Sequence, residues 1–188
     1  MARIEPLSPP YPGDIDTRLA RMMPPGVPPI GLFRTFVHNP AMAEAMEGWG
    51  RYELGRELSL TMRKREIVID RTCARCRCEY EWGVHVAFFA QRVGFTPAQI
   101  GSLTHGGPDD PCWTDEGERL LIEAVDQLHD RATLDDGLYE RVAGRFSVAE
   151  ILDLLLLCGW YHAISFAANG AGVELEPDAP RFADHLPG

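Results

Sequence analysis

Reactive side chains are concentrated in one short stretch of the sequence, CARCRCEYEWGVH, which runs from Cys73 to His85. It holds three cysteines, two glutamates and one histidine within thirteen residues. Such a set could bind a metal through thiolates and imidazole, exchange thiols for disulfides, or pass protons between carboxylates and imidazole. Which of these it does depends on the side chains that share one face of a helix.

Three of these residues would share a helical face. Cys78, Glu81 and His85 are three and seven positions apart, and both steps return to nearly the same side of an α-helix. Trp82 and Phe89 flank this face, so we expect partial burial, which shifts ionisation equilibria. A carboxylate one turn from an imidazole orients it, and an imidazole near a thiol favours the thiolate. The three residues therefore form a candidate acid–base site.

The preceding segment supplies a second acidic face. Glu66, Asp70 and Cys73 are separated by four and three residues, so they share one side of a helix. A tight connection between the two helices would let Glu66 point at the face of His85. We therefore predict one small-molecule site lined by Glu66, Cys78, Glu81 and His85. No basic residue of this region is expected to bind a substrate carboxylate, and the residues predicted to be solvated are Arg65, Arg71, Arg75 and Arg77.

A zinc site is the metal alternative, because C-x-x-C-x-C followed by a histidine supplies four soft ligands. Its members would be Cys73, Cys76, Cys78 and His85. On one helix, however, Cys78 and His85 are two turns apart, about 10 Å, whereas a tetrahedral site needs ligands that converge from two elements. We therefore predict no metal and no other cofactor.

The elements that must position these residues are helices. From Leu32 onward apolar residues recur every three or four positions, and no segment alternates as a strand would. One helix is expected to begin near Ser59 or Thr61 and another to end at Gly94, while TPAQ and SVAE carry capping patterns. The final segment, SVAEILDLLLLCGWYHAISFAANGAG, is apolar nearly all round and predicts a helix buried on most faces. The fold class is therefore an all-α multi-helix bundle.

Length and composition indicate one domain preceded by an arm. The chain has 188 residues, enough to bury a core without disulfides or metals. Most prolines lie in residues 1–31, which predicts an arm without regular helix that covers the domain or a partner, while residues 32–188 form the domain. A net charge of −10 argues against nucleic acid and anionic membranes as partners. The absence of a signal-like or membrane-spanning apolar run predicts a cytoplasmic protein.

Residues 65–95, REIVIDRTCARCRCEYEWGVHVAFFAQRVGF, resemble the signature region of the carboxymuconolactone decarboxylase family, which also contains alkylhydroperoxidase D. The segments TPAQIGSL, WTDEGERLLIEAVDQL and CGWYHAISFAANGAGVELE are similar to later helices of that family. The resemblance covers roughly residues 30–176. It implies an all-helical homo-oligomer, either a dimer, a trimer or a hexamer, with an active site often near a subunit interface.

The peroxidase branch of that family has a glutamate, eleven residues, C-x-x-C, three residues and a histidine. Laid on this chain from Glu66, the pattern puts Cys78 at the first cysteine, Glu81 at the second and His85 at the histidine. A carboxylate cannot form the disulfide of a thiol peroxidase cycle. A peroxidase or disulfide reductase would therefore need a displaced partner for Cys78, either Cys76 or Cys73.

The decarboxylase branch lacks the cysteine pair and resembles this chain in its Glu–Trp–x–x–His segment. It implies proton transfer on a small organic acid or lactone, with His85 as general acid or base and with Glu66 and Glu81 orienting it or relaying protons. Decarboxylation, isomerisation or a related reaction of this kind is the first hypothesis. The thiol peroxidase is the second, and a non-catalytic binding protein is the third.

Overall fold

The computed structural model describes residues 1–186, and the last two residues of the predicted domain lie outside this range. No strand occurs in residues 1–186, so the predicted all-α class is confirmed. The helices of this part of the chain are α1 (Ile15–Met22), α2 (Gly31–Phe36), α3 (Pro40–Glu53), α4 (Met62–Arg75), α5 (Glu79–Phe89), α6 (Pro97–His105), α7 (Glu116–Arg131), α8 (Asp136–Ala143), α9 (Val148–Ala171) and a 3-10 helix (Phe182–His185).

Helix α4 lies at the centre of the bundle. It packs against α5, α6, α7 and α9, and every residue from Arg65 to Cys73 is buried. Ile67, Val68 and Ile69 have no exposed surface and belong to the main hydrophobic core. The same stretch also buries four charged side chains, which are costly in a core unless they are paired. The pairing of two of them, Arg65 and Glu66, builds part of the site described below.

Capping chemistry sets the helix boundaries largely as predicted. The Thr61 side chain accepts a hydrogen bond at the start of α4, and both Thr96 and Ser147 open capping boxes. Helix α5 ends at Phe89 rather than at Gly94. The chain continues as a turn to Gly94, whose φ of +69° marks the stop that its sequence signal indicated.

The prediction that residues 1–31 contain no regular helix was wrong for one stretch. Helix α1 forms between Gly13 and Pro24, where the chain has no proline. Its buried residues Ile15 and Leu19 pack in a small hydrophobic cluster with Val37. The arm contacts the bundle, since the N–H of Arg3 donates to the Ala171 carbonyl oxygen at 2.8 Å. Coverage of a partner and the boundary at residue 31 stay predictions.

The 24-residue helix α9 is buried on one side only, so the prediction of burial on most faces was wrong. Leu152, Leu156 and Phe166 are exposed on its outer face. By length and composition α9 could cross a membrane, with a mean hydropathy of 1.6 over its most apolar window. Half of that window is buried inside the bundle, a pattern that core helices also show.

The segment that follows α9, residues 172–186, contacts both α2 and α5 and holds them together. The backbone N–H of Gly31 donates to Glu176 Oε1 at 2.6 Å, and the Tyr80 hydroxyl donates to the same oxygen at 2.7 Å. Farther along, a Cβ on Gly83 would lie 2.7 Å from the Pro180 carbonyl oxygen, so only glycine allows this contact. These contacts fix α2, which forms one wall of the candidate site.

Candidate active site

A tight turn joins the two helices that carry the predicted site residues. Arg77 adopts a left-handed conformation with φ of +53°, and the N–H of Cys78 donates to the Cys73 carbonyl at 2.8 Å. This hydrogen-bond pattern reverses the chain directly at the end of α4. Helix α5 therefore packs along α4, as the sequence predicted, and Glu66 faces His85.

The imidazole of His85 is the centre of the site. Glu66 Oε2 lies 2.8 Å from its Nδ1, and the Tyr161 hydroxyl oxygen lies 3.0 Å from its Nε2. Glu81 Oε1 is 3.6 Å from Nε2. Because the carboxylate of Glu66 only accepts, Nδ1 carries a proton and Nε2 is the atom that faces Tyr161 and Glu81.

The charges around His85 set its ionisation. Burial alone would lower the pKa of His85, but the negative charge of Glu66 and the hydrogen bonds with Glu66 and Glu81 outweigh burial and raise this pKa to about 10. Burial and the same carboxylates raise the pKa of Tyr161 well above its usual value. At neutral pH the site therefore holds an imidazolium beside a neutral phenol.

Two of the arginines predicted to be solvated are buried. Arg65 Nε donates to Glu66 Oε1 at 2.6 Å, and Arg71 Nε donates to Asp126 Oδ1 at 2.6 Å. That prediction was wrong because carboxylates inside the bundle need a cation beside them. Arg75 is half-buried, and only Arg77 is exposed as expected.

Asp70 lies beside this network without having been predicted as a site residue. Burial, followed by the nearby charge of Glu66, raises the pKa of Asp70 well above its usual value. Ligand atoms of Glu66, Asp70 and His85 lie within 4.8 Å of one another. The guanidinium of Arg65 on Glu66 and the imidazolium of His85 repel a cation at this position.

Glu81 carries a carboxylate oxygen without a hydrogen-bond partner, as Asp70 does, but of these two residues only Glu81 lines the cavity. The residue is buried, and its Oε2 atom makes no hydrogen bond within residues 1–186. An unpaired buried carboxylate oxygen costs stability, so its presence in a cavity wall favours a functional role. Oε2 is therefore placed to accept a hydrogen bond or a proton from a bound molecule.

Of the four predicted site residues, only Glu81 and His85 line the cavity beside His85, so the prediction that Cys78 and Glu66 also line it was wrong. Glu66 reaches the site through its contact with His85 Nδ1, whereas Cys78 lies apart from it. Helix α5 begins at Glu79, so Cys78 precedes it as the N-cap residue and leaves the helical face of Glu81 and His85. Its side chain is fully buried in the core near Cys73. Burial raises the pKa of the Cys78 thiol to about 11, which leaves little nucleophilic thiolate at neutral pH. The catalytic roles of Glu66, Cys78, Glu81 and His85 stay predictions.

A cavity of about 440 Å³ opens above His85. Its volume suits a small organic molecule. Apart from Glu81, His85 and Tyr161, its inner walls are mainly aromatic and aliphatic, while Arg21, Glu47 and Arg51 lie in its lining on α1 and α3. No cysteine lines it among the described residues. Its main apolar wall residues are Leu32, Phe33, Phe36, Met46, Leu54, Val84, Phe88, Phe89, Trp160 and Ile164.

Sequence reasoning missed Tyr161 and Arg65. Tyr161 is 76 residues from His85, and no local spacing links them. Its only sequence signal was its place in CGWYHAISFAANGAGVELE, within the resemblance. Arg65 stands next to Glu66 in the R-E pair of the same resemblance, and its burial beneath Phe89, 5.0 Å from the ring centre, depends on packing.

Similar folds occur among solved structures, although no protein-family model and no curated protein match the sequence. An uncharacterized peroxidase-related protein from Silicibacter sp. TM1040 has a TM-score of 0.80 at 16% identity, over 94% of this chain and 93% of that one. An alkylhydroperoxidase AhpD core protein, peroxidase-related and from Ralstonia eutropha JMP134, has a TM-score of 0.78 at 16% identity, over 93% and 94%.

A halogen-removing enzyme shares this architecture. The apo form of the debrominase Bmp8 has a TM-score of 0.70 at 17% identity, over 93% of this chain and 92% of that one. A cysteine-to-alanine variant of Bmp8 is known in complex with 2,3,4-tribromopyrrole and matches with a TM-score of 0.70 at 14% identity, over 93% and 91%. The chain has the AhpD-like fold, and the resemblance seen in the sequence is confirmed at that level.

Proposed function

We propose that this chain is an acid–base enzyme that decarboxylates, isomerises or otherwise moves a proton on a small organic acid or lactone. The observation that carries the proposal is the environment of His85, whose Nδ1 lies 2.8 Å from Glu66 Oε2 and whose Nε2 lies 3.0 Å from the Tyr161 hydroxyl oxygen. His85 lines a cavity to which no cysteine of residues 1–186 contributes. The reaction therefore uses a carboxylate and an imidazole rather than a thiol.

Two groups divide the proton transfers. Oε2 of Glu81 accepts a proton from an acidic carbon of the substrate, and Nε2 of the His85 imidazolium donates one to the oxygen where negative charge develops. Glu66 holds the imidazole in place and stabilises its positive charge. General acid–base catalysis is worth about 10²–10⁴-fold, and electrostatic stabilisation inside the apolar cavity supplies the remainder.

The cavity favours a mostly apolar substrate with one anionic group. Its aromatic and aliphatic walls suit a ring or a short carbon chain. Arg51 pairs with Glu47 at 2.6 Å, whereas Arg21 makes no ion pair within residues 1–186. An unpaired guanidinium attracts a carboxylate. The tribromopyrrole complex of the debrominase supports a small ring as ligand for this architecture.

A thiol peroxidase or disulfide reductase is the second candidate, and it is favoured by one observation. Cys78 lies near both Cys73 and Cys76. Buried thiols with raised pKa values weigh against it, because peroxide reacts with thiolates. A non-catalytic binding protein is the third candidate, in which the cavity binds its ligand without turnover.

Deuterium exchange tests the proposal without knowledge of the true substrate. Small carboxylic acids and lactones are incubated with the protein in heavy water, and loss of carbon-bound protons is followed by NMR. We expect the protein to catalyse exchange in at least one compound, and His85→Gln to abolish it. Failure of the wild-type protein across the series would favour the binding protein, and peroxide turnover would favour the second candidate.

We also propose that the chain acts in the cytoplasm as a homo-oligomer in which a second copy covers the outer face of α9. The exposed positions of this face between residues 152 and 166 carry no charged or polar side chain. Gly159 and Ala163 lie one turn apart at its middle and let another helix approach closely. A second copy presents the same surface, as a two-fold interface requires. The face consists of Leu152, Leu155, Leu156, Gly159, Ala163 and Phe166.

A further inference from the structure

A second polar cluster lies away from the cavity, where the ends of α4 and α7 meet α9. Cys76 follows the last residue of α4, His129 stands in the last turn of α7, and His162 projects from the middle of α9. One ligand atom of each residue lies within 4.8 Å of the other two, and all three side chains are half-buried. Thiolate and imidazole are the ligands that zinc prefers.

A backbone carbonyl orients the lone pair of His162 toward this cluster. Nδ1 of His162 lies 2.8 Å from the Cys158 carbonyl oxygen. Since a carbonyl only accepts, Nδ1 carries the proton and Nε2 keeps its lone pair. Metal-bound histidines commonly have this arrangement, with the distal nitrogen donating to a carbonyl or carboxylate.

The distances in the cluster are close to those of a tetrahedral site. His162 Nε2 is 2.9 Å from His129 Nδ1, and Cys76 Sγ is 3.9 Å from the same Nδ1. In tetrahedral geometry, zinc–nitrogen bonds of ~2.0 Å and zinc–sulfur bonds of ~2.3 Å place two nitrogens about 3.3 Å apart and nitrogen and sulfur about 3.5 Å apart. Movements of a few tenths of an ångström bring His129 to these distances from both other ligands, and the ligand atoms of Cys76 and His162 already lie within 4.8 Å of each other.

The surroundings accommodate this change. When a metal binds, His129 must carry its proton on Nε2, which makes no hydrogen bond within residues 1–186 and is free to do so. Asn169 donates to the Cys76 carbonyl oxygen at 3.0 Å and fixes the backbone of the thiol ligand. The nearby positive charge of Arg75 is countered by Asp126 and Asp130.

We propose that Cys76, His129 and His162 bind one zinc-type divalent cation, with a fourth position open to water. This site differs from the zinc set considered in the sequence, which combined Cys76 with Cys73, Cys78 and His85. It departs from the expectation of no metal, which stays a prediction, and it is independent of the acid–base reaction. A bound ion would tie the ends of α4 and α7 to α9.

Cobalt titration tests the site, because Co²⁺ occupies zinc sites and reports its ligands by its colour. The full chain is reduced, freed of metal with a chelator and titrated with Co²⁺, then with Zn²⁺ in competition with a chromophoric chelator. We expect one ion per chain, intense visible bands of a tetrahedral ion and a sulfur-to-cobalt charge-transfer band. Cys76→Ser should lose the charge-transfer band, and His162→Gln should weaken Zn²⁺ binding by at least about 100-fold.

Matched variants make the result decisive. Cys112→Ser removes another half-buried thiol and should leave the cobalt spectrum unchanged, as should His85→Gln. His129→Gln changes a half-buried residue near the end of a helix and gives a second ligand variant should His162→Gln fail to fold. A spectrum without the charge-transfer band, or equal loss of the band in Cys112→Ser and Cys76→Ser, would overturn the proposal.

Discussion

Glu66 and His85, 19 residues apart in sequence, form a buried ion pair with 2.8 Å between Oε2 and Nδ1. Arg65 contacts the other oxygen of Glu66, so one carboxylate joins two cations inside the core. Such a group is costly to desolvate, so its gain in stability over an apolar core is small. The pair therefore links the centre of the fold to the chemistry of the cavity.

Replacement of Glu66 by glutamine should uncouple the pair. Glu66→Gln keeps the shape of the side chain but leaves Arg65 buried without its carboxylate and His85 with Glu81 as its remaining anionic neighbour. We expect the pKa of His85 to fall from about 10 by more than about one unit and the free energy of unfolding to decrease by about 3–5 kcal/mol. NMR titration of the imidazole and urea denaturation measure the two effects.

A carboxylate nearer the surface provides the control. Glu118 accepts from Arg63 Nη2 at 3.1 Å, and Glu118→Gln should cost no more than about 1 kcal/mol without moving the pKa of His85. An unchanged His85 pKa in Glu66→Gln would show that Glu66 does not set the charge of the imidazole.

Stability should decrease as the pH rises from 7 to 9. The folded protein binds a proton at His85 up to a pKa of about 10, whereas the unfolded chain releases it near 6.5, so the stabilisation is complete below 6.5 and lost through 10. We expect a loss of roughly 2–3 kcal/mol between pH 7 and pH 9 that is much smaller in His85→Gln. Urea denaturation at several pH values measures it. Parallel curves for the two proteins would contradict the raised pKa.

The buried thiols should be chemically silent in the native protein. Cys73, Cys78 and Cys158 are buried, while Cys76 and Cys112 are half-buried and should react first with a thiol reagent. After equimolar peroxide, intact mass spectrometry should show no loss of about 2 Da, the signature of a disulfide. Cys78→Ser should keep its deuterium-exchange activity. A disulfide at Cys78 would instead support the peroxidase candidate.

Local sequence patterns predicted the helices and part of the site, namely Glu66, Glu81 and His85. Periodicity and capping residues are properties of neighbouring positions, so the starts of α4, α6 and α9 could be predicted from the sequence. The approach of Glu66 to His85 was predicted on the condition of a tight turn between α4 and α5, and that turn is present at Arg77. The position of Cys78 was missed because a shift of one residue in the start of α5 moves it off the helical face.

Partners that are distant in sequence could not be predicted in this way. Tyr161 meets His85 and His162 meets His129 through the packing of α9, on which no single-sequence spacing reports. The burial of Arg65 likewise follows from the depth at which α4 lies in the bundle. Contacts between helices that are distant in sequence could therefore be identified only from the three-dimensional structure.

A charge on the outer face of α9 should separate the proposed oligomer. Leu156 is 52% exposed at the middle of this face, and Leu156→Glu would bury a carboxylate against a second copy. We expect light scattering to show a monomer for this variant and an oligomer for the wild-type chain. Tyr139→Glu on α8 is the control, since Tyr139 is 50% exposed but lies off this face. A wild-type monomer would refute the interface.

Glu81 should show opposite effects on activity and on stability. Its Oε2 atom is buried without a hydrogen bond within residues 1–186, so the native protein bears the cost of desolvating a carboxylate oxygen that meets its partner only in a substrate. Glu81→Gln removes the charge and the basicity while nearly preserving the volume. We expect deuterium exchange to slow by about 10²–10⁴-fold and the melting temperature to stay equal or rise. Glu81→Asp, which keeps the charge but shortens its reach, should recover part of the rate. A variant that loses stability and keeps its activity would show that Glu81 supports the structure and does not take part in proton transfer.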